Sequence, residues 1–366
     1  MNRRAFLTAS AGLGSTAALA GCLGALGFER QSAWRDPPLA EDRPDSVYYP
    51  AVVEGMSVYG TDSSGRVGFA LMHSFPHRFW TVTGTTQTKV VVDAEDTVHL
   101  MATVWDTDSG AILPVDPSIT ITDDDGATVG TTTLWPMLSP NMGFHYGDNV
   151  ALPGSGTYDA TLTVGPVGIT RTAPFGDAFD AGASTTIPFT FDPADTYNLE
   201  YRRLRDRAGD PGTVDLMSTD GVPEPVAPAE SALPGTVLGA PSVDGMELAV
   251  SVVRDGARFG ADGQPYVVVS PRTPYNRILL PRMALSLTAT DASGVTRFDG
   301  ALAPSLDPDL GAYYGAPVEG LAGGETLTIT VDTPPQLARH DGYETAFRAA
   351  GGTATVSYPT NGGTAP

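Results

Sequence analysis

Cysteine is all but missing. Cys22 is the only one in 366 residues, which excludes an internal disulfide and a cysteine-ligated zinc site, and leaves no spare thiol nucleophile if Cys22 is consumed by modification. Lysine is nearly absent too, with Lys89 alone against 20 arginines, and histidine is confined to His73, His77, His99, His145 and His340. The longest weakly apolar run, Ala5 to Ala20, falls short of the roughly 20 residues that cross a bilayer as a helix. Amphipathic helical periodicity is scarce. The hydrolase signatures G-x-S-x-G and H-E-x-x-H do not occur, which counts against nucleophilic or zinc-dependent hydrolysis.

The N-terminus carries instructions for export. Arg3 and Arg4, followed by Ala5, Phe6 and Leu7, read as a twin-arginine signal over residues 1–21. Leu19, Ala20, Gly21 and Cys22 form a lipobox, in which Cys22 is the expected lipidation site and the first residue of the mature chain. Two or more acyl chains anchor stably. Residues 22–46 then read as a flexible tether, whose part from Leu23 to Pro44 would reach roughly 70 Å at ~3.3 Å per residue. The folded part is therefore expected outside the cell, lipid-anchored to the outer face of the membrane.

Charge is lopsided as well. The formal net charge of -21 comes from 42 acidic against 21 basic residues, and most of the acids are Asp. The pattern suits a halophilic protein. In molar salt such charge is screened within ~3 Å, so it reads as surface solvation, and nucleic acid is not an expected partner.

Past the tether, Thr, Val, Gly, Asp and Pro dominate, in short alternating runs separated by turn clusters. Ser118 to Thr122 ends in the turn Asp123-Asp124-Asp125-Gly126, Thr157 to Val164 alternates, and Ile187 to Phe191 closes the first half. The second half repeats the first in outline. Val53-Glu54-Gly55-Met56 returns as Val243-Asp244-Gly245-Met246, while Pro136, Tyr146-Gly147 and Leu162-Thr163-Val164 align with Pro304, Tyr314-Gly315 and Ile329-Thr330-Val331. The expected fold is all-β, with two immunoglobulin-like antiparallel β-sandwiches in tandem over residues 47–193 and 235–360. Residues 194–234 are expected to hold a short helix, at Tyr197 to Arg207, and a Pro-rich linker.

The segment with most chemistry is Leu134 to Asn149, L-W-P-M-L-S-P-N-M-G-F-H-Y-G-D-N. It sets Met137 and His145 eight residues apart among turn formers, and a thioether with an imidazole makes a soft metal-ligand pair. The segment resembles the M-P-M...D-G-P-H-Y-G-(A/N)-N stretch of a family of periplasmic iron- and copper-binding proteins. That family works beside iron permeases and includes a treponemal surface lipoprotein.

The resemblance implies that His145 and Met137 hold an iron or copper ion, with His73 and His77 of M-H-S-F-P-H completing the set. Pro76 favours a turn there, so the pair is not a helical zinc motif. His99, in V-H-L-M-A-T-V, is expected on a strand facing solvent. The family also has a histidine after a Pro-Pro pair at the end of its domain. Here that place is taken by His340 in the second half, whereas the first half has Arg171 nearby. Met137 aligns with Ser305 and His145 with Tyr313, so the second half lacks the Met/His pair and is not expected to bind the same metal. A complete site then requires His73 or His77 as substitute, or a site shared between the halves.

The expected function is non-enzymatic capture of iron or copper for transport across the membrane. The metal ion, the membrane through lipid on Cys22, an iron permease and a second copy in a homodimer are the partners considered. A metal-free structural or adhesive surface module is the alternative, and copper redox chemistry could use the same histidines.

Overall fold

The computed structural model describes residues 37–360. The export signal, Cys22 and the first part of the tether lie outside the described residues. Among those described, no helix is long and apolar enough to cross a membrane.

The chain is nearly all β, built from antiparallel sheets. The first half contains β1 (Val52–Glu54), β2 (Ser57–Ser64), β3 (Val67–Ser74), β4 (Phe79–Thr83), β5 (Thr86–Val90), β6 (Val98–Asp106) and β7 (Ser118–Asp123). It continues through β8 (Thr128–Thr133), β9 (Trp135–Ser139), β10 (Gly143–Val150), β11 (Gly156–Val164), β12 (Thr170–Arg171) and β13 (Ala183–Phe191). Helix α1 (Pro193–Asn198) and β14 (Tyr201–Arg203) follow. The second half contains β15 (Thr236–Gly239), β16 (Ser242–Val243), β17 (Met246–Val253), β18 (Tyr266–Arg272) and β19 (Ala284–Thr290). It ends with β20 (Thr296–Asp307), β21 (Gly311–Pro317), β22 (Thr326–Thr333), β23 (Ala338–Arg339) and β24 (Thr353–Ser357).

Pairing order shows how the halves correspond. In the first, β2-β3-β6-β10-β9 form one layer and β13-β11-β7-β8 another. In the second, β15-β17-β18-β21-β20 and β20-β19-β22-β24 repeat both orders, with the long β20 serving both layers where β8 and β9 are separate strands. Strand composition follows burial. β11 alternates, with Tyr158, Ala160, Leu162 and Val164 turned inward, as a strand with one wet face must. β6, V-H-L-M-A-T-V-W-D, is buried throughout, because it lies inside its sheet with both faces covered.

The halves exchange strands. β23 pairs in parallel with β9, setting Ala338 beside Met137 and Arg339 beside Leu138. β12 pairs in parallel with β20, setting Thr170 beside Ser305 and Arg171 beside Leu306. These two exchanges are mirror images of each other in the repeat alignment. Buried apolar residues of both halves also form one continuous cluster, so the core does not stop at the boundary between them.

Three expectations differ from the fold. The helix lies at Pro193–Asn198, capped by the Asp192 side chain accepting from the Ala194 amide. It does not run over Tyr197 to Arg207, because Tyr201–Arg203 pairs with β1 instead. Residues 37–46 are packed rather than trailing: Arg43 bonds Glu344 at 2.8 Å, and Pro37 and Ala40 are buried. The linker is folded down as well, with the Met217 amide donating to the Asn141 carbonyl at 2.7 Å and the Ala227 amide to Arg277 at 2.8 Å. Proline without periodicity predicts irregular backbone, but irregular backbone still docks when it has apolar side chains to bury.

Candidate metal centre

β9 and β10 form a hairpin through Pro140, Asn141 and Met142. Gly143 closes it at φ +78°, where an added Cβ would also lie 2.4 Å from Pro225. The hairpin register makes His145 the direct antiparallel partner of Met137, so two residues eight apart in sequence meet on one face of the sheet. β6 enters from the other side of β10 and sets His99 opposite Asn149. His77 comes from the turn before β4, and His340 follows β23. The Arg78–Asp341 ion pair, 2.7 Å, joins the neighbours of His77 and His340.

The donor atoms converge. His340 Nδ1 is 3.2 Å from His77 Nε2, and His340 Nε2 is 3.4 Å from the Met137 sulfur. Ligand atoms of His77, His99 and His340 all lie within 4.8 Å of one another. His145 faces His340 with ring centroids 5.4 Å apart. A Cβ placed on Gly147 would sit 2.8 Å from His99 Nε2 and 3.1 Å from the Met137 sulfur. Only glycine leaves that room.

Three of the rings are oriented by their far nitrogen. His77 Nδ1 meets the Phe75 carbonyl at 2.8 Å, His145 Nδ1 the Gly143 carbonyl at 3.0 Å, and His99 Nδ1 the Asn149 Oδ1 at 2.8 Å. Each acceptor requires N–H at Nδ1, which leaves a lone pair at Nε2: that of His77 faces His340 Nδ1, and those of His99 and His145 have no partner. The Asn149 amide is itself held, its Nδ2 donating to the His77 carbonyl at 2.9 Å. Nε2 of His99 and of His145 are buried without any hydrogen-bond partner, a costly state for an imidazole unless something else occupies the lone pair.

Burial lowers the pKa of His77 and of His145 to about 4, and drives those of His99 and His340 well below the usual range, with neighbouring imidazoles adding to the effect. All four are thus neutral near pH 7, the form that ligates metal. Glu54 Oε2 sits 3.1 Å from His77 Nδ1. Burial and the charge of Asp341 raise its carboxyl to about 8, so it is a protonated, hydrogen-bonding group at neutral pH. Four imidazoles and one thioether form a nitrogen and sulfur donor set, suited to copper and other borderline or soft ions.

The expected residues separate here. Met137, His145 and His77 are brought together. His73 is not: it stacks on Tyr59 at 4.1 Å, while the next residue, Ser74, lies opposite His99, and alternation sends His73 to the other face of the sheet. His99 corrects the expectation of a solvent-facing residue, being fully buried in the cluster. Its signal was in the sequence: V-H-L-M-A-T-V is apolar at consecutive positions, so neither face of that strand could be wet. His340 has a weaker sequence signal, the Pro-Pro pair before it, and only the strand exchange brings it to the first half.

The corresponding place in the second half is filled differently. Ladder positions carry Met137 to Ser305, His145 to Tyr313, His99 to Tyr266 and His340 to Thr172. Tyr266, Tyr313 and Ser305 hydrogen bond among themselves, and Thr172 donates to Asp307 at 2.7 Å. Hydroxyl groups stand at these four positions in place of imidazole and thioether.

Residues 92–202 match the family of Fe2+ transport proteins, and residues 231–356 match a Domain of unknown function (DUF7350). No curated protein matches the chain. Among solved structures, as-isolated FetP of uropathogenic Escherichia coli is similar at 18% identity, covering 37% of this chain and 96% of its own, with a TM-score of 0.29. A copper-bound FetP variant has the same identity and TM-score, covering 37% of this chain and 92% of its own. A copper-bound variant of a Campylobacter jejuni protein covers 38% and 98%, again at 18% and 0.29.

Proposed function

With residues 92–202 matching the Fe2+ transport protein family, we propose that this chain is an extracytoplasmic metal-binding protein that captures copper or iron for transport across the membrane. The observation that carries the reading is the convergence of imidazole nitrogens from His77, His99 and His340 within 4.8 Å, with the Met137 sulfur 3.4 Å from His340. His145 completes the set from the strand beside Met137. The metal is cargo, and the chemistry is ligand exchange: neutral imidazoles bind without first losing a proton, and a thioether adds softness at no charge. The donors favour copper, since iron prefers oxygen ligands and the converging atoms are imidazole nitrogens and a thioether sulfur.

Anchoring through Cys22, docking on a membrane iron permease, self-association and the absence of enzymatic turnover belong to the same proposal. The sequence supports the first through its lipobox, and the second through the family of the first half.

The test is titration of the purified protein with Cu(II) and Fe(II) in high salt. One dominant site per chain is expected, weakened at least tenfold by His145→Ala and by His340→Ala, and unchanged by His73→Ala. Equal uptake by all variants would sink the metal reading and leave the surface-module alternative.

A further inference from the structure

A cavity of about 60 Å³ leads away from the histidine cluster, and its walls include His77, His145 and His340 together with Met56, Met101, Met142 and Met217. These methionines come from four different places: the turn between β1 and β2, strand β6, the β9–β10 turn and the linker. Four of nineteen lining residues are methionine in a chain with nine methionines among 366 residues, a concentration that gap filling does not require. Met101 is buried beside the histidines, while Met56, Met142 and Met217 are partly exposed. Partly exposed and buried thioethers therefore line one cavity together with three of the histidines. The Asn141 side-chain amide donates to the Met217 sulfur at 3.5 Å, which ties the linker methionine to the β9–β10 turn.

We propose that this methionine-lined cavity is a second binding site, for a monovalent soft metal ion such as Cu(I), on the path to the histidine centre. The inference rests on the metal-binding reading above and adds a site to it. Thioethers carry no charge and do not titrate, and they bind Cu(I) in preference to iron, zinc or the harder divalent ions. Ligands of that kind let an ion shed water stepwise without a carboxylate trapping it. A cavity of this size admits an ion with a water, not an organic chelate.

The experiment uses the full chain and Ag(I), a redox-inert monovalent probe, alongside Cu(II). Wild type is expected to take up Ag(I) beyond one equivalent, and the methyl resonances of Met56, Met142 and Met217 should shift with the added equivalent. In the variant Met56→Leu, Met142→Leu, Met217→Leu, a change that nearly conserves volume, the extra Ag(I) equivalent should be lost while Cu(II) binding stays within twofold. Unchanged Ag(I) stoichiometry in the variant, or unshifted methyls in folded wild type, would overturn the second site. If Cu(II) failed to bind wild type while the methyls still shifted with Ag(I), the histidine centre would be rejected and the thioether site retained.

Discussion

At the scale of single residues, the site depends on groups that never touch the metal. Asn149 fixes His99 through Nδ1 and His77 through its carbonyl. Asn149→Leu should therefore lower Cu(II) affinity about 10- to 100-fold in a competition titration, alongside a metal-free stability loss of about 1–3 kcal/mol from the buried groups it leaves unpaired. A variant that binds like wild type would show that ring orientation is set elsewhere. Burial also makes a pH prediction for the metal-free protein. Folded pKa values near 4 for His73, His77 and His145 lie below their unfolded value of about 6.5. Their contribution is fully present above that value and is lost as pH falls through the folded pKa. Glu54, raised from 4.5 to about 8, and Asp148, raised from 3.8 to about 6, act in the opposite sense, each contributing fully below its unfolded value and losing that contribution as pH rises through its folded value. Imidazoles outnumber these carboxyls, so denaturant midpoints of the metal-free protein should fall on acidification from pH 6.5 to pH 4. A midpoint flat across that range would contradict neutral buried histidines.

At the scale of elements, the β9–β10 hairpin and β6 meet at Gly147, where their ligands crowd together. Gly147→Ala puts a methyl against His99 Nε2, the Met137 sulfur and the Leu100 carbonyl. The expected result is a stability loss of about 1–3 kcal/mol with a larger proportional loss of Cu(II) affinity, read by thermal melts and titration on the same sample. Affinity that survives the substitution would mean that these two atoms do not flank the ion. Sequence patterning made the hairpin legible through Ser139, Pro140, Asn141 and Gly143, since turn formers between short strands leave few alternatives. At β6 alternation sends the lone polar residue His99 to solvent, but the apolar run around it leaves neither face of that strand wet.

At the scale of the molecule, the reciprocal pairings of β23 with β9 and of β12 with β20 make the halves one body around a shared core. Calorimetry should therefore record one cooperative unfolding transition, and two well-separated transitions would show that the halves fold independently. The same exchange makes the site composite. His340→Ala should weaken metal binding as much as His145→Ala does, whereas Thr172→Ala, at the corresponding place in the other half, should leave Cu(II) affinity unchanged. A loss with Thr172→Ala would mean that the second half still supports the centre from a distance.

The sequence by itself determined the all-β class, the repeat and the Met137–His145 pair. Alternation, turn residues and a short motif are local properties, and local properties are written along the chain. It also determined that Ser305 and Tyr313 stand where soft ligands stood, because that comparison needs only alignment. What the tertiary structure alone decided is which histidines share a centre. His73 and His77 are four residues apart yet lie on opposite faces of a sheet, while His77 and His340 are 263 residues apart and meet at 3.2 Å. Face and distance follow from strand register and from the exchange of β23, both set by long-range pairing that no window of sequence contains.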